Sequence, residues 1–88
     1  MRKVDEVKRA IEILERIIND RTVPKNIRGA VETAKNYLND ESLNLNLRLS
    51  NAIQTLDEVT NDPNMPLYTR TQIWNAVSLL EEKRREVI

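Results

Sequence analysis

Eighty-eight residues are enough for one small domain whose core must be assembled from few side chains. Fourteen Lys and Arg stand against fourteen Asp and Glu, so no global field draws the chain to nucleic acid or to an anionic membrane, and only a local patch could do so. The chain has no Cys and no His, which excludes disulfides, thiol catalysis, thiolate metal sites and the commonest general base near neutral pH, and its single Gly leaves no glycine-rich phosphate cradle.

The first helical pattern runs from Val4, with apolar residues at Val4, Val7, Ala10, Ile11, Leu14, Ile17 and Ile18 and charged residues between them. That spacing predicts a helix over 3–19, ended by Asn19-Asp20, whose short polar side chains compete for the backbone. Glu12 and Arg16, four residues apart, are placed to pair on its outer face. The second helix is predicted over 23–39, with Thr22 as its cap and Pro24 in its first turn, where a missing N–H is not felt. Ile27, Ala30, Val31, Ala34, Tyr37 and Leu38 form its apolar stripe. Gly29 sits mid-helix at a cost of about 1 kcal/mol relative to Ala, which a closely approaching helix would explain.

From Leu43 to Ser50, Leu alternates with Asn, Arg and Ser at the period of a strand. No other segment offers it a partner, and a lone strand is not stable. Read at helical spacing, Leu45, Leu49, Ala52, Ile53, Leu56 and Val59 share one stripe, which predicts a third helix over 45–60 capped by Ser42 or Asn44. Asn61-Asp62-Pro63 ends it, since proline can neither donate to the ladder nor tolerate a helical residue before it. Asn64 then caps a fourth helix over 65–86, with Pro66 in its first turn. Ile73, Ala76, Val77 and Leu80 face inward, Trp74 lies on the flank, and Lys83, Arg84 and Arg85 sit at the negative end of the dipole.

Sliding the chain by 42 residues aligns Ala10, Ile11, Leu14, Asn19, Asp20, Pro24, Arg28, Ala34 and Leu38 with identical residues at 52, 53, 56, 61, 62, 66, 70, 76 and 80. The chain therefore reads as one helical domain over 1–88 with an internal repeat, 10–38 and 52–80, of one helical hairpin. A hairpin cannot bury its own apolar stripes, so two must pack together. The predicted fold is all-α, a four-helix antiparallel up-and-down bundle built from the two hairpins. The alternative is an open pair of HEAT-type repeats, whose period is similar but which needs further repeats for stability.

The repeated positions Asp20, Pro24 and Arg28, with Asp62, Pro66 and Arg70, read as turn architecture, each Asp meeting free amides or the Arg across the turn. A functional surface reads best in Met65, Leu67, Tyr68 and Trp74, a cluster of large amphipathic side chains suited to a partner contact. Basic residues gather near both chain ends (Arg2, Lys3, Lys8, Arg9 and Arg16, then Lys83, Arg84 and Arg85), mixed with Glu and Asp and without aromatic interleaving. The carboxylate pairs Asp5-Glu6, Asp40-Glu41, Asp57-Glu58 and Glu81-Glu82 are sequence neighbours, which diverge by about 100° on a helix and do not converge on a metal. No catalytic residue, cofactor site or metal site is expected.

Asn19–Pro24 (Asn-Asp-Arg-Thr-Val-Pro), Asn61–Pro66 (Asn-Asp-Pro-Asn-Met-Pro) and Arg70–Asn75 (Arg-Thr-Gln-Ile-Trp-Asn) together resemble the motifs of a small archaeal family of uncharacterised function. The resemblance runs over nearly the whole chain and implies a compact four-helix up-and-down fold without an established activity. Leu43–Ser50 departs from the Pro- and Ala-containing lead-in to the third helix usual in that family. The apolar runs are too short to span a bilayer, and Met1–Glu6 lacks the apolar stretch of a signal peptide, so a cytoplasmic protein is expected. The function expected is a non-catalytic interaction module, self-associating or part of a larger assembly. The alternative is a nucleic-acid-associated protein acting through a basic patch.

Overall fold

A computed structural model describes residues 5–87. Four helices follow one another: α1 (Glu6–Ile18), α2 (Lys25–Leu38), α3 (Leu45–Val59) and α4 (Leu67–Val87). Their ends lie within one or two residues of those expected, apart from the start of α1, where residues 3 and 4 fall outside the described part. Asp5 caps α1 by accepting from the Lys8 amide at 3.1 Å, and Asn44 caps α3 by accepting from the Leu47 amide at 2.9 Å. The Leu43–Ser50 alternation resolves into a turn and a helix: Leu49 is buried, Leu43 and Leu45 are half-buried, and Leu47 is left facing solvent.

All three connections use the same turn. Asp20, Asp40 and Asp62 each donate their amide to the carbonyl three residues back, in Ile17, Tyr37 and Val59. The carbonyl of each Asp then accepts from the amide three residues ahead, in Val23, Leu43 or Met65. The carboxylate folds back on its own loop as well. Asp20 Oδ1 accepts from the Thr22 amide and hydroxyl at 2.9 and 2.6 Å, Asp40 Oδ1 from those of Ser42 at 3.0 and 2.6 Å, and Asp62 Oδ1 from the Asn64 amide at 2.8 Å. Thr22 and Asn64, expected to cap α2 and α4, are thus spent inside the turns, and the helices begin beyond Pro24 and Pro66. Among the described residues no backbone φ is positive, so none of these turns calls for glycine. The one Gly is elsewhere: Gly29 is exposed in α2, and a Cβ there would meet nothing within 4 Å, so no neighbouring helix explains it.

Short turns make consecutive helices antiparallel neighbours, α1 beside α2, α2 beside α3 and α3 beside α4. The ring is closed by α4 lying along α1. An open HEAT-like stack would instead set α1 against α3 and α2 against α4, and the backbones of neither diagonal pair come close. Asn26 at the start of α2 donates to Asp62 Oδ2 at 2.9 Å, tying the first and third turns together at one end of the bundle. Between the helices lies one core, in which Leu14, Ile17, Ile27, Leu49, Leu56, Ile73 and Leu80 are fully buried and Val23 and Met65 close the end. Each large side chain so buried contributes about 1.5–3 kcal/mol.

Candidate functional site

The side chains singled out in α4 and the turn before it divide among three directions. Leu67 and Trp74, seven residues apart, stand on one stripe with Thr71 between them, and both are open to solvent, at 73% and 53% exposure. Tyr68, 72% exposed, is rotated by about 100° from Leu67 toward α1. Met65 does not belong with them. It takes the turn position filled by Val23 in the first connection, closes the core at 6% exposure, and therefore leaves the surface group. Its neighbourhood in sequence to Leu67 is not a neighbourhood in direction, because the turn points it inward before the helix begins.

The second stripe of α4 (Tyr68, Gln72 and Asn75) faces a groove against α1, lined on the far side by Arg16, Ile13 and Arg9. Arg16 stands level with Tyr68, whereas Arg9 stands level with Asn75 and Glu82, as antiparallel helices require. Glu12 and Arg16 do not pair. On α1 the ion pair formed is Glu15 with Lys35 of α2, at 3.2 Å, and at the far end of α4 Lys83 meets Glu86 at 3.6 Å. Exposed pairs of this kind contribute about 0–1 kcal/mol. Of the basic residues grouped in the sequence, Arg2 and Lys3 lie outside the described residues, Lys8, Arg9 and Arg16 are spread along α1, and Lys83, Arg84 and Arg85 ride the last turns of α4.

The turn residues form a repeated device with one variation. Arg28 Nε donates to the Val23 carbonyl at 3.0 Å, and Arg48 Nε donates to the Leu43 carbonyl at 2.8 Å. In the third turn Arg70 uses Nη2 on the Asp62 carbonyl at 3.2 Å, leaving its Nε buried without a partner. Each Arg therefore binds a carbonyl of its turn rather than the Asp carboxylate, and Pro24 and Pro66 serve as the fixed-φ residues before α2 and α4. The copy at Asp40, Ser42 and Arg48 was missed in the sequence because Asn44 stands where the other two turns have proline. The signal was nonetheless present, an Asp followed eight residues later by Arg. The Thr22 hydroxyl, then its amide, hold the Asp20 carboxyl below its ordinary 3.8, with a smaller contribution from the Arg28 charge that together outweigh the opposing effect of burial. Ser42 and Arg48 act on Asp40 in the same way.

No three His, Cys, Asp or Glu side chains among the described residues converge as metal ligands would. Among the described residues no helix is long and apolar enough to cross a membrane.

A family profile described as "Uncharacterised protein family (UPF0147)" matches residues 1–82. This chain belongs to that family. A UPF0147 protein of the archaeon Methanocaldococcus jannaschii is 56% identical over 69 residues, 78% of this chain and 74% of its own length. One from Sulfurisphaera tokodaii is 50% identical over 76 residues, 86% of this chain and 85% of its own. Among solved structures, that of the unknown-function protein MMP1188 superposes with a TM-score of 0.88 at 49% identity, covering 92% of this chain and 96% of the other. A UPF0147 protein from Thermoplasma acidophilum gives 0.84 at 35% identity, covering 89% and 92%. The two solved structures share the four-helix fold.

Proposed function

We propose that this UPF0147 chain is a non-catalytic, cytoplasmic interaction module that docks a protein partner, or a second copy of itself, through the outward stripe of α4. One observation supports this reading. Leu67 and Trp74 stand two turns apart on the same helix face, largely in water, while Ile73, Ala76, Val77 and Leu80 on the opposite face of α4 are in the core. An exposed tryptophan ring is a characteristic anchor of a binding hot spot, offering large contact area at low entropic cost. Leaving both exposed forgoes part of the burial worth up to about 1.5–3 kcal/mol each, which a partner would recover.

The test is a native pull-down, with and without nuclease, followed by mass spectrometry, on the wild type and on Trp74→Ala. The expected result is a protein recovered equally with or without nuclease and lost on Trp74→Ala. Recovery that collapses with nuclease, and binding that weakens steeply with added salt, would favour the basic-patch alternative instead.

A further inference from the structure

The groove between α1 and α4, beside the Leu67–Trp74 stripe, has a chemistry of its own. Its two hollows, of about 350 and 260 Å³, share Ile13 and Asn75 and so run on from one another. Arg9 and Arg16 on the α1 wall are seven residues apart, which places them about 10 Å apart along the axis. Neither makes an ion pair among the described residues. On the α4 wall Gln72 and Asn75 present side-chain amides one turn apart, and Gln72 Oε1 is closed off from water with no hydrogen-bond partner. A dry, unpaired acceptor needs an N–H, which a small rotation of the Gln72 amide into the groove would let it meet.

We propose that this groove takes an extended acidic segment of a protein partner, whose two carboxylates, three residues apart, meet Arg9 and Arg16 while its backbone amides pair with Gln72 and Asn75. The spacing follows from geometry. A chain in the polyproline II form repeats every three residues and rises about 3.1 Å for each, so side chains at i and i+3 lie on one edge about 9 Å apart. That matches the axial spacing of positions 9 and 16 on α1, and such a backbone has its N–H and C=O groups free for the two amides. A DNA backbone fits less well, since its phosphates and deoxyriboses carry no hydrogen-bond donor and would leave the Gln72 acceptor unpaired. Oligo-U tests the RNA case, whose 2′-hydroxyl can donate. Glu82 at the Arg9 end opposes any anion there, so Arg16 is the stronger of the two anchors. The inference rests on the interaction-module reading and specifies the chemistry of the partner.

The test is fluorescence anisotropy on the full chain with labelled peptides carrying two Glu at separations of one to six residues in a neutral Ser, Ala and Pro background. Binding is expected to be tightest at a separation of three, about 5-fold over a separation of one. Arg16→Gln and Arg9→Gln are each expected to weaken it by about 5- to 10-fold and flatten the spacing preference. Both arginines are exposed, so the variants are expected to melt like the parent. No binding at about 1 mM peptide, a spacing profile indifferent to Arg16→Gln, or tighter binding of a ten-nucleotide oligo-U would each overturn it. Partner recovery that depends on Trp74 but not on Arg16 sinks the groove and spares the stripe. Peptide binding that depends on Arg16, with recovery indifferent to Trp74, does the reverse.

Discussion

α1 and α4 lie side by side in the ring yet spend their apolar residues differently. In α1, Ala10, Leu14 and Ile17 are buried, Val7, Ile11, Ile13 and Ile18 pack partly against the same core, and the outward positions are Lys, Arg and Glu. In α4 the buried set (Ile73, Ala76, Val77 and Leu80) is matched by large apolar and aromatic side chains on the outside, Leu67, Tyr68 and Trp74. Burial in the core accounts for the composition of α1 and leaves a remainder in α4. That remainder is the best pointer to function in a chain whose core and turns explain most of its other residues.

Neighbouring residues of α4 sharpen the contrast. Ile73 is fully buried and Trp74 half exposed. Ile73→Ala is expected to lose about 2–5 kcal/mol, the cost of a truncated core side chain, measured by urea denaturation. If Ile73→Ala and Trp74→Ala proved equally destabilising, the division of α4 into a core face and a docking face would fail. Arg48→Ala comes next, with an expected loss of about 1 kcal/mol, because it removes one charged, partly buried hydrogen bond to the Leu43 carbonyl. Arg70→Ala is expected to cost less than Arg48→Ala, since its contact is longer and it leaves Nε without a partner. Equal losses would mean that the third turn is no weaker than the second. Gly29→Ala has the opposite sign, an expected gain of about 0.5–1 kcal/mol read as a raised melting temperature, for the added Cβ meets open space.

The acid limb follows from the first two turns. The folded Asp20 and Asp40 carboxyls titrate below 3.8, so lowering the pH protonates the unfolded chain first. Their contribution is complete above that value and fades as the pH falls through it and beyond. Stability of the wild type is therefore expected to drop below pH ~3.8, and less steeply in an Asp20→Asn, Asp40→Asn double variant. An identical acid limb in both proteins would show that the turn carboxylates do not contribute. The smallest effect expected is on the stability of Trp74→Ala, within about 0.5 kcal/mol of the parent.

The fold was legible because its signals were local and mutually consistent. The stripes of α1 and α2 recur at helical spacing, and Asp with Pro or Asn marks every turn. The third helix was legible only through its stripe, since the alternating leucines imitate a strand until the lack of a partner rules one out. Met65 was misplaced although the 42-residue shift had already set it against Val23, a position whose burial only the turn geometry reveals. The α1–α4 groove could not be read from the sequence. Arg16 and Tyr68 are 52 residues apart, and which helix closes the ring is decided by packing across the whole core.

Trp74 is the only tryptophan in the chain, so its fluorescence reports on the proposed docking face alone. Titrating the protein with the partner recovered in the pull-down should shift its emission to the blue and shield it from acrylamide quenching. An emission maximum and a quenching constant that stay unchanged while the complex demonstrably forms would place the interface elsewhere and contradict the account.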